Sequence, residues 1–216
     1  RQTPDMSDPD LTPKPATEAT AAANAAMAAL PFLRGDDADR ARAARGRVAP
    51  PPRQVLHDGG WPTWDLDAYG FLDGTAPPEV NPSLWRQAQL NNEAGLFEIA
   101  PGFHQVRGLD LANMTTIEGT EGRIVIDPLT SVETARAALA LVDEHLGARP
   151  VTAVIYTHSH VDHFAGVRGV IDEADVISGK VRVIAPAGFL EAAVSENVVA
   201  GNVMTRRGSY MYGALL

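Results

Sequence analysis

VTAVIYTHSHVDHFAGVRGV, residues 151–170, runs from an apolar, β-branched stretch straight into three imidazoles and a carboxylate. Its first part, 151–157, reads as a short buried strand. Its last part, 164–170, reads as a loop and the start of a helix. The histidines therefore sit where a strand ends and the chain turns, a position from which a rigid element presents reactive groups. Half of the chain's six histidines fall between His158 and His163. Neutral imidazole and carboxylate are good zinc ligands, and a coordinated water can fall to a pKa of about 7. His158 and His160 can reach one ion from the same side. Asp162 and His163, further round the turn, can reach a second ion about one shared water. A merely solvated polar loop leaves this crowding of ligand types without a reason.

Upstream of the motif the pattern is regular from about residue 95. Residues 96–106, 114–118 and 123–126 read as successive strands, with turns at Pro101-Gly102 and 119–122. Thr130-Ser131-Val132-Glu133 resembles a capping box. Val132, Ala135, Leu139, Val142 and Leu146 then recur at helical spacing, and Gly147 with Pro150 ends that helix. Downstream, 181–185 reads as a strand and 189–198 as a helix. Strands, helix, strand, loop-helix, strand, helix is an α/β layered order.

The amino-terminal part differs in texture. Residues 1–15 are rich in Pro, Asp and Thr and read as a loose arm. Residues 16–30 hold nine alanines and should be helical. Asp36, Asp37 and Asp39 precede Arg40, Arg42, Arg45 and Gly46, which fits a short helix aligned with its dipole. Residues 49–83 are crowded with Pro, Gly, Trp and Asp. Pro50, Pro51 and Pro52 in a row forbid a helix or a central strand there, so this stretch is expected to be irregular and wrapped on something. Trp61, Trp64 and Trp85 are expected to anchor the wrap. The expected division is 1–94, arm and wrap, and 95–216, the layered part.

Bulk composition narrows the possibilities. A formal net charge of -9 disfavours a nucleic-acid partner, which would need a basic footprint. It leaves room for an anionic small substrate, because metal ions dominate their local field. With no cysteine, disulfides, thiolate zinc sites and cysteine nucleophiles are excluded. No run of about 20 apolar residues suggests a membrane span.

The stretch THSHVDHFAG, 157–166, resembles the metal motif of the metallo-β-lactamase superfamily. That resemblance implies a four-layer αββα sandwich with a dinuclear site along one edge of the paired sheets. A narrower resemblance, to the alkylsulfatases of that superfamily, rests on NPSLWRQ (81–87), GLF (95–97), QVRG (105–108), NMTTIEG (113–119), IVID (124–127), FAGVRG (164–169), RRGSYMYG (206–213) and the alanine-rich helix ending Leu30-Pro31-Phe32. It implies hydrolysis of linear or secondary alkyl sulfate esters, with two Zn2+ as cofactors. His158 and His160 would bind the first ion, and Asp162 and His163 the second. No catalytic residue is assigned beyond these ligands. Asn113, Arg206 and Tyr212 are left outside the site, as are His57, His104 and His145.

The chain stops at Leu216, whereas alkylsulfatases continue with the rest of the sandwich, a dimerisation region and a further domain. The resemblance implies that one more histidine and two carboxylate ligands lie there. Glu173, Glu191 and Glu196 are read as surface charges. The fold expectation is therefore the first half of the sandwich, preceded by a helical and irregular arm. The expected partners are a C-terminal remainder or complementary chain, a second copy in a homodimer of the full assembly, and a small-molecule alkyl sulfate. The chain begins at Arg1 and not Met, which fits a processed as well as a trimmed product; a periplasmic or secreted location is expected, with the cytoplasm as the alternative. The rival readings are another hydrolase of the same fold (β-lactam, thioester, lactone or phosphodiester) and a non-catalytic scaffold that kept the motif.

Overall fold

Residues 95 to 126 form four antiparallel strands, β4 (Gly95–Ala100), β5 (Phe103–Arg107), β6 (Met114–Glu118) and β7 (Arg123–Ile126), the last three alternating between a buried and a less buried face. The protein is represented by a computed structural model that describes residues 14–31 and 37–211. Within those residues the sheet has seven strands in the order β1-β4-β5-β6-β7-β8-β9. β1 (Arg47–Ala49) pairs antiparallel with β4 at one edge. After β7 the chain crosses through α4 (Val132–Leu146) to β8 (Val151–Ile155), which runs parallel to β7. It then passes α5 (Glu173–Ile177) to β9 (Arg182–Ile184), parallel to β8. Antiparallel neighbours need only short turns, whereas the parallel pair needs a crossover, which α4 supplies.

Register puts Leu96, Val106 and Met114 in one cross-strand row and Thr116, Val125 and Val154 in another. All six are buried and face α4. Ala135, Ala138 and Val142, at helical spacing, are fully buried and meet that face. Each large apolar side chain so buried contributes about 1.5–3 kcal/mol. The opposite face carries Phe103, Ile117 and Ile124 in one row and Ile126, Ile155 and Ile184 in the next, and none of these is buried.

The arm begins with α1 (Glu18–Ala28), whose N-cap Thr17 accepts from the Thr20 amide. α2 (Asp37–Ala44) covers the acid-then-base run, and Asp36 lies outside the described residues. Residues 49–83 are more ordered than their composition suggests. β2 (Gln54–Leu56) and β3 (Pro62–Asp65) pair as a short hairpin, and Val55 and Leu66 enter the same core as the sheet. The three prolines lie between β1 and β2, in neither strand. Asn81 caps α3 (Pro82–Asn91) through the Ser83 amide. Trp64 donates to the Gly108 carbonyl and Trp85 to the Gly74 carbonyl, so both anchor the wrap. Trp61 does not. It is 59% exposed and stacks on His57 at 4.5 Å.

Two helix details also depart from expectation. The N-cap of α4 is Ser131, which accepts from the Thr134 amide, while the Thr130 hydroxyl donates to Asp110 instead. The helix expected over 189–198 is α6 (Phe189–Val194), continued by a π turn at Ser195–Val199 and by α7 (Gly201–Met211).

Candidate metal centre

β7 and β8 end side by side, and Asp127 follows β7 directly, its amide donating to the Ile155 carbonyl. Asp127 sits at φ 54 and Leu129 at φ 63, the left-handed region that costs non-glycine residues most when they are branched or bulky. What holds them there is visible. The buried Asp127 carboxylate accepts from the Thr157 amide at 2.8 Å and the Thr157 hydroxyl at 2.7 Å, and pairs with His163 Nδ1 at 2.8 Å. The Leu129 carbonyl accepts from the Gly166 amide. A Cβ on Gly166 would collide with the Pro128 and Ser131 carbonyls, and one on Gly169 with that of Val132. These two glycines let the loop after the histidines press onto the start of α4.

The four residues expected as ligands are brought together. The His158 and His163 rings are 4.0 Å apart, and those of His158 and His160 are 4.6 Å apart. Asp162 and His163 share the single 3-10 turn Val161–His163, with Asp162 Oδ2 3.4 Å from His163 Nε2. Among the described residues no three such side chains are closed about a common point.

Each imidazole has a supporting group at one nitrogen. Thr157 spends its only hydroxyl hydrogen on Asp127, so it can only accept from His158 Nδ1, 2.9 Å away, which leaves the His158 Nε2 lone pair free. His163 Nδ1 pairs with Asp127, while its Nε2 faces Asp162, the other residue expected on the second ion. His160 Nε2 lies 3.2 Å from Glu196 Oε1, leaving Nδ1. Metal-binding histidines characteristically use one nitrogen on the ion and give the other to a carboxylate or similar acceptor. The donor set and its supports therefore fit a zinc-type ion.

Sequence reasoning missed two of these supports. Asp127 stood in the IVID stretch without a role, and nothing local links it to His163, 36 residues away. Glu196, read as a surface charge, is instead 25% exposed and directed at His160. The remaining histidines lie elsewhere: His57 stacks on Trp61, His104 is buried on β5, and His145 is in the last turn of α4. Arg206 lies on α7, and Tyr212 falls outside the described residues. A cavity of about 790 Å³ lies among Trp64, Phe71, Trp85, Arg107 and Asn113, and none of the residues 158–163 lines it. The chemistry of the histidine cluster, not cavity size, marks the site.

Residues 107–212 match the family model described as the metallo-beta-lactamase superfamily. These residues belong to that superfamily. The chain is 54% identical over 208 residues to an (R)-specific secondary-alkylsulfatase of Pseudomonas sp, covering 95% of this chain and 31% of the relative. A linear primary-alkylsulfatase of Pseudomonas sp is 56% identical, again over 95% of this chain and 31% of the relative. An alkyl/aryl-sulfatase of Saccharomyces cerevisiae is 49% identical over 87% of this chain. The solved structure of the stereoselective inverting sec-alkylsulfatase Pisa1 from Pseudomonas sp. superposes with a TM-score of 0.86 at 57% identity, covering 91% of this chain and 31% of that one. The chain thus spans about a third of the length of these relatives and has the metallo-β-lactamase fold. Among the described residues no helix is long and apolar enough to cross a membrane.

Proposed function

We propose that this chain carries the metal-binding part of an alkylsulfatase, which cleaves an alkyl sulfate ester with water to give an alcohol and sulfate. The observation that supports it is the cluster of His158, His160, Asp162 and His163 in a chain whose relatives at 54–57% identity are named alkylsulfatases. In this reading His158 and His160 hold one zinc ion, and Asp162 and His163 hold the other. Bound there, the pair supplies Lewis acidity toward the sulfate oxygens and a water acidic enough to react near neutral pH. The protein groups do the positioning. Asp127 and Thr157 fix the His163 and His158 rings, and the tight 3-10 turn keeps Asp162 beside His163.

Two imidazoles, or one imidazole and one carboxylate, are fewer than the three protein ligands usual for a catalytic zinc. The proposal therefore includes a C-terminal remainder, or a complementary chain, that supplies the rest and through which two copies pair. The unburied row of Phe103, Ile117 and Ile124 and that of Ile126, Ile155 and Ile184 support it, because an apolar sheet face of this kind is normally covered.

Protein expressed from the full reading frame tests the reading. Dodecyl sulfate and a secondary octyl sulfate are expected to be turned over, with a phosphodiester and a β-lactam hydrolysed far more slowly. Preferential hydrolysis of either control would replace the sulfatase reading with another hydrolase of the same fold. Absence of turnover with all four, in zinc-loaded protein, would favour the scaffold reading.

A further inference from the structure

Glu196 lies 33 residues beyond the last histidine, on a helix whose outer face is solvated, yet its carboxylate oxygen is 3.2 Å from His160 Nε2. Three observations explain how it gets there. First, Phe189 at the start of α6 packs on Tyr156 at 5.3 Å and on Phe164 at 5.2 Å, the two aromatic residues that bracket the histidine motif. Tyr156 and Phe164 also touch each other at 5.9 Å, so the three rings clamp the helix to the loop. Second, Phe189, buried Ala193, and Glu196 with Asn197 follow at helical spacing and form the face turned to the loop, while Leu190, Val198 and Val199 point outward, each more than 70% exposed. Third, the helix widens into a π turn at Ser195–Val199, closed by the Ala200 amide on the Ser195 carbonyl at 2.9 Å. Such a turn adds one residue and swings the side chains round, and π turns recur at functional sites. Here Glu196 meets His160, and Asn197 Nδ2 donates to the Ser159 carbonyl at 3.4 Å.

We infer that Glu196 is the positioning residue of His160, the carboxylate that accepts from Nε2–H and so turns the Nδ1 lone pair to the metal. This rests on the reading of His160 as a ligand and adds a residue to it. Asp127 hydrogen-bonds one nitrogen of the His163 ring from the end of β7, and Glu196, in the π turn, stands at ion-pair distance from one nitrogen of His160. The His160 side chain is 58% exposed, so packing alone does not fix its ring. A ring free to rotate offers the ion either nitrogen or neither, and affinity falls accordingly. Partners of this kind are typically worth 10- to 100-fold in metal affinity.

The test uses protein from the full reading frame and the variants Glu196→Gln and Glu196→Ala. Zinc affinity is measured by competition with a chelating dye, the visible spectrum of the cobalt-substituted protein is recorded, and Tm is measured without metal. Zinc affinity is expected to fall by about 10- to 100-fold in Glu196→Ala. The Gln variant, which keeps an accepting oxygen, should lose less, and the metal-free Tm should stay near that of the parent. The cobalt spectrum should change for one of the two ions. Parent-like affinity and spectrum in both variants would overturn the inference while leaving the metal centre standing. A loss of affinity matched by a loss of metal-free Tm would also overturn it, because Glu196 would then be only a packing residue. A parent that binds no zinc would overturn the metal centre and this inference together.

Discussion

Asp127 works from a backbone conformation that few aspartates adopt, and its carboxylate holds three groups at once: the Thr157 amide, the Thr157 hydroxyl and the His163 ring. Replacing it with Ala removes the shared acceptor of an exposed Thr157 and a part-buried His163. Each hydrogen bond so lost costs about 0.5–1.5 kcal/mol. Urea unfolding of Asp127→Ala should show a loss of that order or more, and zinc titration should show weakened binding, since the ring it steadies is free to turn. Asp127→Asn keeps one acceptor and should fall between. Gly166→Ala is expected to destabilise as well, because the new methyl meets the Pro128 and Ser131 carbonyls and not a flexible side chain. The ligand types were legible at this scale because all four fall in six residues, whereas their supports were not. Asp127 and Glu196 approach the motif only through strand pairing and helix packing, which no local pattern encodes.

Individual elements carry their own tests. At the end of the sheet opposite Asp127, fully buried Arg123 pairs with Glu118 at 2.6 Å and with Asp143, and it donates to the Gly147 carbonyl at 3.1 Å. Arg149 adds a second contact to Glu118 at 3.1 Å. This network closes the β6–β7 turn onto the end of α4. Arg123→Ala leaves Asp143 without this partner and Glu118 with Arg149, both partly exposed, and should cost about 3 kcal/mol in urea unfolding. Burial alone would raise the Glu118 pKa, but the bonds and charges of Arg123 and then Arg149 hold it below the usual carboxylate range. Stability from that depression is therefore present above the unfolded-state value near 4.5 and is lost as pH falls through the lower folded value. Unfolding curves between pH 6 and pH 3 should fall less steeply for Glu118→Gln than for the parent. The N-cap of α4 separates two readings in the same way. Ser131→Ala should cost about 1 kcal/mol. The strands β5 to β7 were readable because one face is covered by α4 and the β2–β3 segment, which forces alternation, and the turn residues Pro101-Gly102 set off β4. The β2–β3 hairpin was not, because Pro50–Pro52 and the surrounding glycines and aspartates mask two strands only three and four residues long. Trp61 misled for a related reason: its size suggests burial, yet its partner is the half-exposed ring of His57.

At the scale of the molecule, one sheet gathers strands from both the arm and the layered part, with a helix on one face and, on the other, unburied apolar rows from β5 to β9 beside a Phe97 covered by Arg47 and Arg107. The histidine motif sits where the parallel strands end, and the π turn closes over it from the carboxyl-terminal helix. The layered order and the superfamily were legible from the strand–motif–helix sequence. How the arm joins the sheet through β1 was not, because a three-residue edge strand has too little periodicity to read. If a further part of the protein covers the free sheet face, Ile124→Asp or Ile155→Asp should impair assembly of the full-length protein, seen as a shift in gel filtration, while leaving the α4 side of the core intact. The most direct measurement is anomalous diffraction at the zinc edge from crystals of protein expressed from its full reading frame. Two peaks are expected, one touching His158 and His160 and one touching Asp162 and His163; no peak within bonding distance of any of these four side chains would contradict the proposed centre.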